Sequence, residues 1–196
     1  MNHFIFLQSI TASEFEAGKV IYQRLIDNPG FNDSAYPPKD IAYFEELVEY
    51  IDKTTDVIPS DDKVVLYIDI HSCEETFTFK DINSSDKTSY TEYKEWNELG
   101  GILHMLYNRF QKNATFIFVS CYSASYFSSL KEPHIHIIAG DGEVNTMQAE
   151  HQLFTFYDEF CKDGNVERAY LAMMKEHPIT KGPATNNKYR AVLKLY

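Results

Sequence analysis

A histidine and a cysteine each follow a strongly apolar run of residues, and together they could generate a nucleophile. The first run, Val64–Ile70, leads into His71, and the second, Thr115–Ser120, leads into Cys121. A thiol attacks a carbonyl carbon as the thiolate, and an adjacent imidazole can take its proton and later protonate the leaving group. These residue types point to nucleophilic catalysis by cysteine, provided that the fold brings them together.

The two runs must be buried strands for this to happen. Both are rich in β-branched and aromatic residues, which is typical of strands covered on both faces. Between them, apolar residues at three- and four-residue spacing predict a helix: Trp96, Leu99, Leu103, Leu106 and Phe110. A right-handed crossover through that helix would make the strands parallel and place both carboxyl ends at one edge of the sheet, where open α/β sheets bind ligands.

The rest of the chain continues the alternation of strands and helices. Further strands are expected near Phe4–Leu7, Thr76–Phe79, His134–Ala139 and Tyr189–Leu195, of which Thr76–Phe79 is expected as an exposed hairpin strand. Further helices are expected over Ser13–Asp27, Asp40–Lys53 and Tyr122–Leu130, for about 18 residues after Gly142, and around Val166–Met173. Asp81–Thr91 is polar and predicts a mobile surface loop beside His71. We predict one α/β domain spanning residues 1–196, with a mostly parallel central sheet and helices on both faces.

Composition narrows the class of function. The chain has 196 residues, a formal net charge of −11 and a pI near 5.0, and an acidic surface argues against a nucleic-acid or anionic-membrane partner. Three scattered cysteines do not form a disulfide framework and suit a reducing compartment. No targeting or membrane-spanning segment is apparent, so we expect a cytoplasmic location.

Acyl transfer also needs hydrogen-bond donors for the oxyanion that forms on the attacked carbonyl. The backbone amides of Ser72 and Cys121 are placed by sequence to supply them. Asp69 shares a strand face with His71, so it could orient the imidazole or line a substrate pocket. No cofactor is needed for this chemistry.

In this order, the motifs resemble the CHAT branch of the caspase-like cysteine peptidases, which is related to separase, gingipain and caspase. In that branch one strand ends in His-Gly, the next in a Ser-Ala-Cys-Glu-Ser-like turn, and a third leads into a long helix. Here these read Ile-Asp-Ile-His71-Ser72, Phe-Val-Ser120-Cys121-Tyr-Ser-Ala and Ile-His-Ile-Ile-Ala139-Gly140-Asp141. His71 precedes Cys121 by about 50 residues, as in caspases. The resemblance implies a caspase-like three-layer sandwich and a Cys121–His71 dyad.

Two positions depart from the family pattern. Ser72 stands where the family has glycine, so any positive φ there would be costly, and Ser120 replaces an alanine. In separase-like relatives an acidic residue after the third strand reads a basic P1 side chain, and Asp141 falls at that position, with Glu143 close behind. The resemblance thus implies cleavage after Arg or Lys. Asp141 and Glu143 could equally cap the following helix.

The resemblance implies a cysteine endopeptidase that cleaves a protein or peptide partner in a stress or antiviral-defence pathway. If the chain is regulated, we expect control by a separate regulatory protein, by the Asp81–Thr91 loop or by self-association. The alternative is a catalytically inactive module that keeps the fold and binds a partner, which Ser72 favours. A nucleotide-binding domain is disfavoured because no glycine-rich loop follows a strand.

The other candidate residues have simpler explanations. Cys73 and Cys161 are interpreted as small buried hydrophobes, although Cys73 is near enough to His71 to be a rival thiol. His134 and His136 alternate on one strand face, but no third ligand is apparent, so no metal site is expected.

Overall fold

The computed structural model describes residues 1–130, 135–144, 146–176 and 193–196. Its strands are β1 (Asn2–Ser9), β2 (Ser34–Ala35), β3 (Lys39–Asp40), β4 (Lys63–Ser72), β5 (Thr76–Lys80), β6 (Tyr90–Glu95), β7 (Ala114–Val119), β8 (His136–Gly140) and β9 (Leu193–Leu195). Its α-helices are α1 (Ala17–Ile26), α2 (Phe44–Asp56), α3 (Leu99–Phe110), α4 (Ser123–Ser129), α5 (Thr146–Asp163) and α6 (Val166–Glu176). No helix within the described ranges is long and apolar enough to span a membrane.

The strands form one mixed sheet with the order β2-β1-β4-β7-β8-β9. The central pairs β1–β4, β4–β7 and β7–β8 are parallel, whereas β9 runs antiparallel to β8. Strand β3 also pairs with β1, and β5 and β6 form an antiparallel hairpin at the carboxyl end of β4. The mostly parallel sheet predicted from the sequence is confirmed.

Helices cover both faces of the sheet, which gives three layers. Along β4, Val64, Leu66 and Ile68 point into a core shared with α2, α3 and α4. The alternate residues Val65 and Tyr67 point into a second core, shared with α1, α5 and α6. Because side chains alternate between the faces of a strand, a strand buried on both faces has to be apolar throughout.

Three local expectations are wrong. The first helix begins at Ala17 and not at Ser13, since residues 11–16 form a separate turn in which the Thr11 amide donates to the Glu14 carboxylate. The second helix spans Phe44–Asp56, later than predicted. Strand β5 is buried because its aromatic side chains, Phe77 and Phe79, join the core on the α2–α3 face.

The polar segment between β5 and β6 is anchored at several points. The buried Lys80 ammonium donates to the Lys87 carbonyl and lies 4.0 Å from the centre of the Tyr90 ring. The Ser13 hydroxyl donates to the Ser85 carbonyl at 3.0 Å. The Lys80 contacts tie the 81–89 loop to β5 and β6, and the Ser13–Ser85 bond joins it to the turn before α1.

The end of the chain is described only in part. The helix after Gly142 is α5, and it ends where Gly164 adopts a φ of +66°, a conformation that glycine reaches without strain. Of the predicted strand Tyr189–Leu195, the structure describes the residues of β9, and of the predicted strand His134–Ala139 it describes the part from Ile135, so His134 lies outside the described residues.

Candidate active site

His71 and Cys121 occupy equivalent positions at the tips of adjacent parallel strands. Asp69 on β4 pairs in register with Val119 on β7, so each of the two residues lies two positions beyond that pair. His71 is still within β4, paired with Thr78 of β5, whereas Cys121 lies in the turn that follows β7. The sequence predicted both residues just after their strands, and the structure places them at one edge of the sheet.

Both side chains line the same cleft. It encloses about 290 Å³ between the carboxyl edge of the sheet, the turn before α1, the 81–89 loop and the start of α5. Its polar lining residues include Glu14, Asp69, Lys87 and Thr146, and its apolar lining residues include Ile10, Phe15, Val119, Val144 and Met147. The arrangement meets the first requirement for a thiol–imidazole pair, which is a shared site open to a ligand.

Glu14 binds the imidazole of His71. Its Oε1 lies 2.7 Å from His71 Nε2, while its Oε2 accepts hydrogen bonds from the Thr11 amide at 2.7 Å and the Thr11 hydroxyl at 2.9 Å. Burial opposes ionisation of Glu14, but the Thr11 bonds and the His71 ring hold the pKa of its carboxyl below the ordinary value. An ionised carboxylate can only accept, so Nε2 carries the imidazole proton and Nδ1 is left as the basic nitrogen.

The environment keeps the imidazole neutral. Burial lowers the pKa of His71; the Glu14 carboxylate opposes this shift, and the Lys80 cation adds to it. A neutral imidazole with a free Nδ1 lone pair is a general base. When it takes up a proton, the Glu14 carboxylate stabilises the imidazolium.

The thiol of Cys121 is also held in its neutral form. Its sulfur accepts a hydrogen bond from the Val144 amide at 3.4 Å. Burial raises the pKa of the Cys121 thiol, and the negative charges of Glu143 and Asp69 add to that effect, while the Val144 amide opposes it. Because the thiol pKa is raised and the imidazole pKa is lowered, proton transfer is expected to accompany attack and not to precede it.

The turn that carries Cys121 is fixed by several close contacts. Tyr122 adopts a φ of +58°, which is uncommon for a residue other than glycine, and its amide donates to the Gly142 carbonyl at 2.8 Å. The Ser123 hydroxyl donates to the Ser120 carbonyl at 3.0 Å and accepts from the Gly140 amide at 2.9 Å. Strained backbone that is held in place by surrounding bonds is a common feature of active sites.

Ser72 links the two strand tips. Its hydroxyl donates to the Cys121 carbonyl and accepts from the Ser120 hydroxyl. Among the described residues, the non-glycine positions with positive φ are Gln111 and Tyr122, so Ser72 does not carry the strain that its replacement of glycine suggested. It lies in regular strand β4, where its side chain ties the β7 turn to the end of the strand.

The Ser72 amide is directed toward the cysteine side of β4. The next amide along the strand, that of Cys73, donates to the Thr76 carbonyl of β5 at 2.8 Å. Amides alternate in direction along a strand, and β5 lies on the same side of β4 as β1. The Ser72 amide therefore faces the other side, on which β7 and its Cys121 turn lie.

Asp69 is the predicted acidic residue that lies in the cleft. It is buried, and it accepts a hydrogen bond from the Tyr67 hydroxyl at 3.2 Å. Burial raises the pKa of the Asp69 carboxyl to about 7; the Tyr67 bond opposes the shift, and the charge of Glu14 favours it. Asp69 makes no described bond to the imidazole, since Glu14 binds His71 instead.

Asp141 and Glu143 lie to one side of the cleft. Asp141 forms an ion pair with Lys194 of β9 at 2.6 Å. Burial and the nearby Glu143 carboxylate raise the pKa of the Tyr122 hydroxyl. Neither Asp141 nor Glu143 is among the residues that line the cleft with Cys121. Their role in reading a P1 side chain stays a prediction.

The sequence missed Glu14 as a partner of His71. Ser13 is of a residue type that caps helices, and the helix dipole favours an acidic residue such as Glu14 in the first turn, so the sequence predicts a helix start here. Only the contact across 57 residues of sequence shows that the carboxylate serves the imidazole.

Neither Cys73 nor Cys161 is among the residues that line the cleft with the dyad. Cys73, predicted to be buried, is exposed because it lies in the β4–β5 turn, and a hydrogen bond with Thr76 lowers the pKa of its thiol. Burial raises the pKa of the half-buried Cys161 to about 12. Within the described ranges, which exclude His134, no group of three or more His, Cys, Asp or Glu side chains is arranged to hold a metal ion.

Solved structures with this fold include caspases. The initiator caspase Dronc of Drosophila aligns with a TM-score of 0.56 at 9% identity, over 99% of this chain and 78% of that chain. Caspase-1 of Spodoptera frugiperda aligns with a TM-score of 0.57 at 11% identity, over 100% and 85% of the two chains. A protein of Geobacter sulfurreducens aligns with a TM-score of 0.53 at 9% identity, over 100% and 92%.

These alignments show that the fold is caspase-like, a mostly parallel sheet between layers of helices, as the sequence predicted. At such low identities they concern the fold alone. No protein-family model matches the chain, and no curated protein sequence matches it.

Proposed function

We propose that this chain is a cysteine endopeptidase with Cys121 as the nucleophile and His71 as the general base and acid. The observation that carries the proposal is the shared cleft. A thiol and an imidazole at equivalent positions on adjacent strand tips line it together, and the half-buried carboxylate of Glu14 fixes the tautomer of the imidazole. The caspase-like fold is consistent with this chemistry.

The reaction begins when the Cys121 sulfur attacks the carbonyl carbon of the scissile peptide bond, as His71 Nδ1 takes the thiol proton. The carbonyl oxygen becomes an oxyanion, for which the amides of Ser72 and Cys121 are the proposed donors. The C–N bond then breaks, and His71 returns its proton to the departing amine. Water, deprotonated by the same imidazole, hydrolyses the thioester and regenerates the thiol.

Glu14 is the positioning residue in this scheme. It keeps the proton of the neutral ring on Nε2, so that Nδ1 remains available to the thiol, and it stabilises the imidazolium in each half-reaction. Residues Thr11 and Ser72 act one step further out. Thr11 holds the second oxygen of Glu14, and Ser72 joins the cysteine turn to β4.

The proposed substrate is a protein or peptide with a basic P1 residue. Asp69 supports this part of the proposal because its carboxyl is buried in the cleft. A cationic P1 side chain beside it would stabilise the ionised carboxylate and so lower the Asp69 pKa again. Asp141 and Glu143 remain candidates for a longer substrate. The proposal also includes a CHAT-type relationship and a cytoplasmic role in stress or defence. It further includes control by a separate regulatory protein and catalysis without a cofactor.

A catalytically inactive, partner-binding module is the second candidate. The observation that favours it is the raised pKa of the Cys121 thiol, which leaves little thiolate in the free chain. The two candidates differ in whether His71 activates that thiol.

The test is labelling with a peptidyl acyloxymethyl ketone that carries arginine at P1, in a Cys73→Ala background that removes the exposed thiol. An enzyme is expected to be labelled at Cys121, with the rate lowered at least tenfold in His71→Ala and no labelling in Cys121→Ala. Equal labelling rates with and without His71 would rule out the dyad and favour the inactive module.

A further inference from the structure

Two large apolar side chains, Phe15 and Met147, are exposed at the cleft. Phe15 precedes α1 and is 40% exposed, and Met147, in the first turn of α5, is 55% exposed. Both line the cleft that holds Cys121. Exposed apolar side chains that gather in a concave site commonly mark the binding surface of a ligand.

Each of them is connected to one member of the dyad. Phe15 directly follows Glu14, which binds the His71 imidazole. Met147 follows Val144 by three residues in the sequence, and the Val144 amide donates to the Cys121 sulfur. The exposed side chains therefore stand on elements that contact the imidazole and the thiol.

The surface between them is also apolar. Ile10, Val119 and Val144 line the cleft together with Phe15 and Met147. We define these five residues as the apolar wall.

The charges in the cleft leave this wall free for an uncharged group. The carboxylate of Glu14 is bound to Thr11 and His71, and Asp69 is buried beneath the tips of the strands. Lys87 also lines the cleft, but it lies on the 81–89 loop and is not part of the wall. An apolar occupant gains free energy from covering the wall, whereas a charged group placed against the wall would lose water.

We propose that the apolar wall is a subsite for a large apolar side chain, aromatic or long aliphatic, of a peptide whose scissile bond lies at Cys121. The inference rests on the proposed function and deepens it, since it names the second feature of the substrate besides a basic P1 residue. Phe15 and Met147 are the specificity-determining residues, because they carry the most accessible apolar area of the wall.

The first experiment uses fluorogenic tetrapeptides with an arginyl-coumarin end, in which each of the three preceding positions is fixed in turn as Phe, Leu, Ser or Asp. We expect Phe or Leu at one position to raise kcat/KM by roughly tenfold over Ser, the size typical of a small apolar pocket. Phe15→Ser and Met147→Ser are each expected to reduce severalfold the ratio of kcat/KM for the Phe or Leu peptide to kcat/KM for the Ser peptide.

Leu171→Ser is the matched control. Leu171 is 66% exposed on α6 and is not among the residues that line the cleft, so this variant removes the same kind of side chain elsewhere. It is expected to keep the full preference. Equal kcat/KM for all four residues at every position, or a preference that survives both cleft substitutions, would overturn the subsite and leave the peptidase proposal intact.

A second measurement is independent of catalysis. The same peptides, with an amide in place of the coumarin, are titrated by calorimetry into Cys121→Ala. Tighter binding of the Phe peptide, lost in the double variant with Phe15→Ser, supports the subsite even if no peptide is cleaved by the parent chain. Binding that does not distinguish Phe from Ser contradicts the subsite, whereas absence of cleavage together with absence of Cys121 labelling contradicts the proposed function.

Discussion

Replacing Glu14 by glutamine is expected to lower kcat about tenfold while the fold is kept. The Glu14–His71 contact is 2.7 Å long, and the glutamate side chain is only 13% exposed, but the imidazole is 43% exposed. A hydrogen bond to a charged group contributes about 1.5–3 kcal/mol. Solvent around the ring weakens the ion pair, so we take the lower end, which corresponds to roughly tenfold in rate.

The pH dependence gives the same prediction a sign. Glu14 raises the His71 pKa against the effect of burial, so removing its charge must lower that pKa further. The imidazole has to be neutral to act as a base, and the acidic limb of the rate profile follows its titration. In Glu14→Gln this limb is expected to move to lower pH even as the plateau of kcat falls.

The assay is the pH profile of kcat on a fluorogenic peptide, with the His71 ring titrated in parallel by NMR. The control is Glu16→Gln, which removes a carboxylate from the same segment, where it pairs with Lys19 and not with the imidazole. An unchanged His71 pKa in Glu14→Gln would refute the reasoning, whether or not activity is detectable. A loss of stability without any shift of the acidic limb would reduce Glu14 to a structural role.

Three further predictions concern the turn and the floor of the cleft. A methyl group in Gly140→Ala would lie 2.3 Å from the Ser120 carbonyl oxygen. We therefore expect about 1–3 kcal/mol of destabilisation in urea unfolding, together with slower alkylation of the Cys121 thiol. In contrast, Gly101→Ala has open space around the added methyl group and should stabilise α3 by about 0.5–1 kcal/mol. Tyr122→Gly should change the unfolding free energy by less than about 1 kcal/mol, because relief of the positive φ offsets the added chain entropy. Tyr122→Val should lower the unfolding free energy by about 1–2 kcal/mol, since a β-branched residue is strained at this φ. Equal effects of the two variants would show that the φ of +58° carries no strain. The folded-state pKa of Asp69, about 7, is above its unfolded value, so the contribution of Asp69 to stability falls as pH rises from about 4 to 7. In chemical denaturation, Asp69→Asn should therefore stabilise the chain by roughly 2–4 kcal/mol at pH 8 and by far less at pH 5. A gain in stability that is equal at both pH values would contradict the raised pKa.

The sequence by itself determined the layers and the reacting groups. Continuous apolar runs specify strands buried on both faces, and period-3.6 patterns specify the covering helices, because these signals are local and are carried by residues close together in the chain. Parallel pairing then places the residues after two such strands at one edge, so the sequence alone predicts a common site for His71 and Cys121.

Only the tertiary structure decided what surrounds those groups. Glu14 has a helix-start pattern in sequence, yet it binds an imidazole 57 residues away, and Asp141, expected in the pocket, is paired with Lys194. Phe15 and Met147 fit helix periodicity but face the cleft. Which group pairs with a charged side chain depends on the segments, distant in sequence, that pack beside it in the fold. The same segments decide whether an apolar residue near a helix end is covered. The local periodicity of the sequence does not encode these long-range contacts.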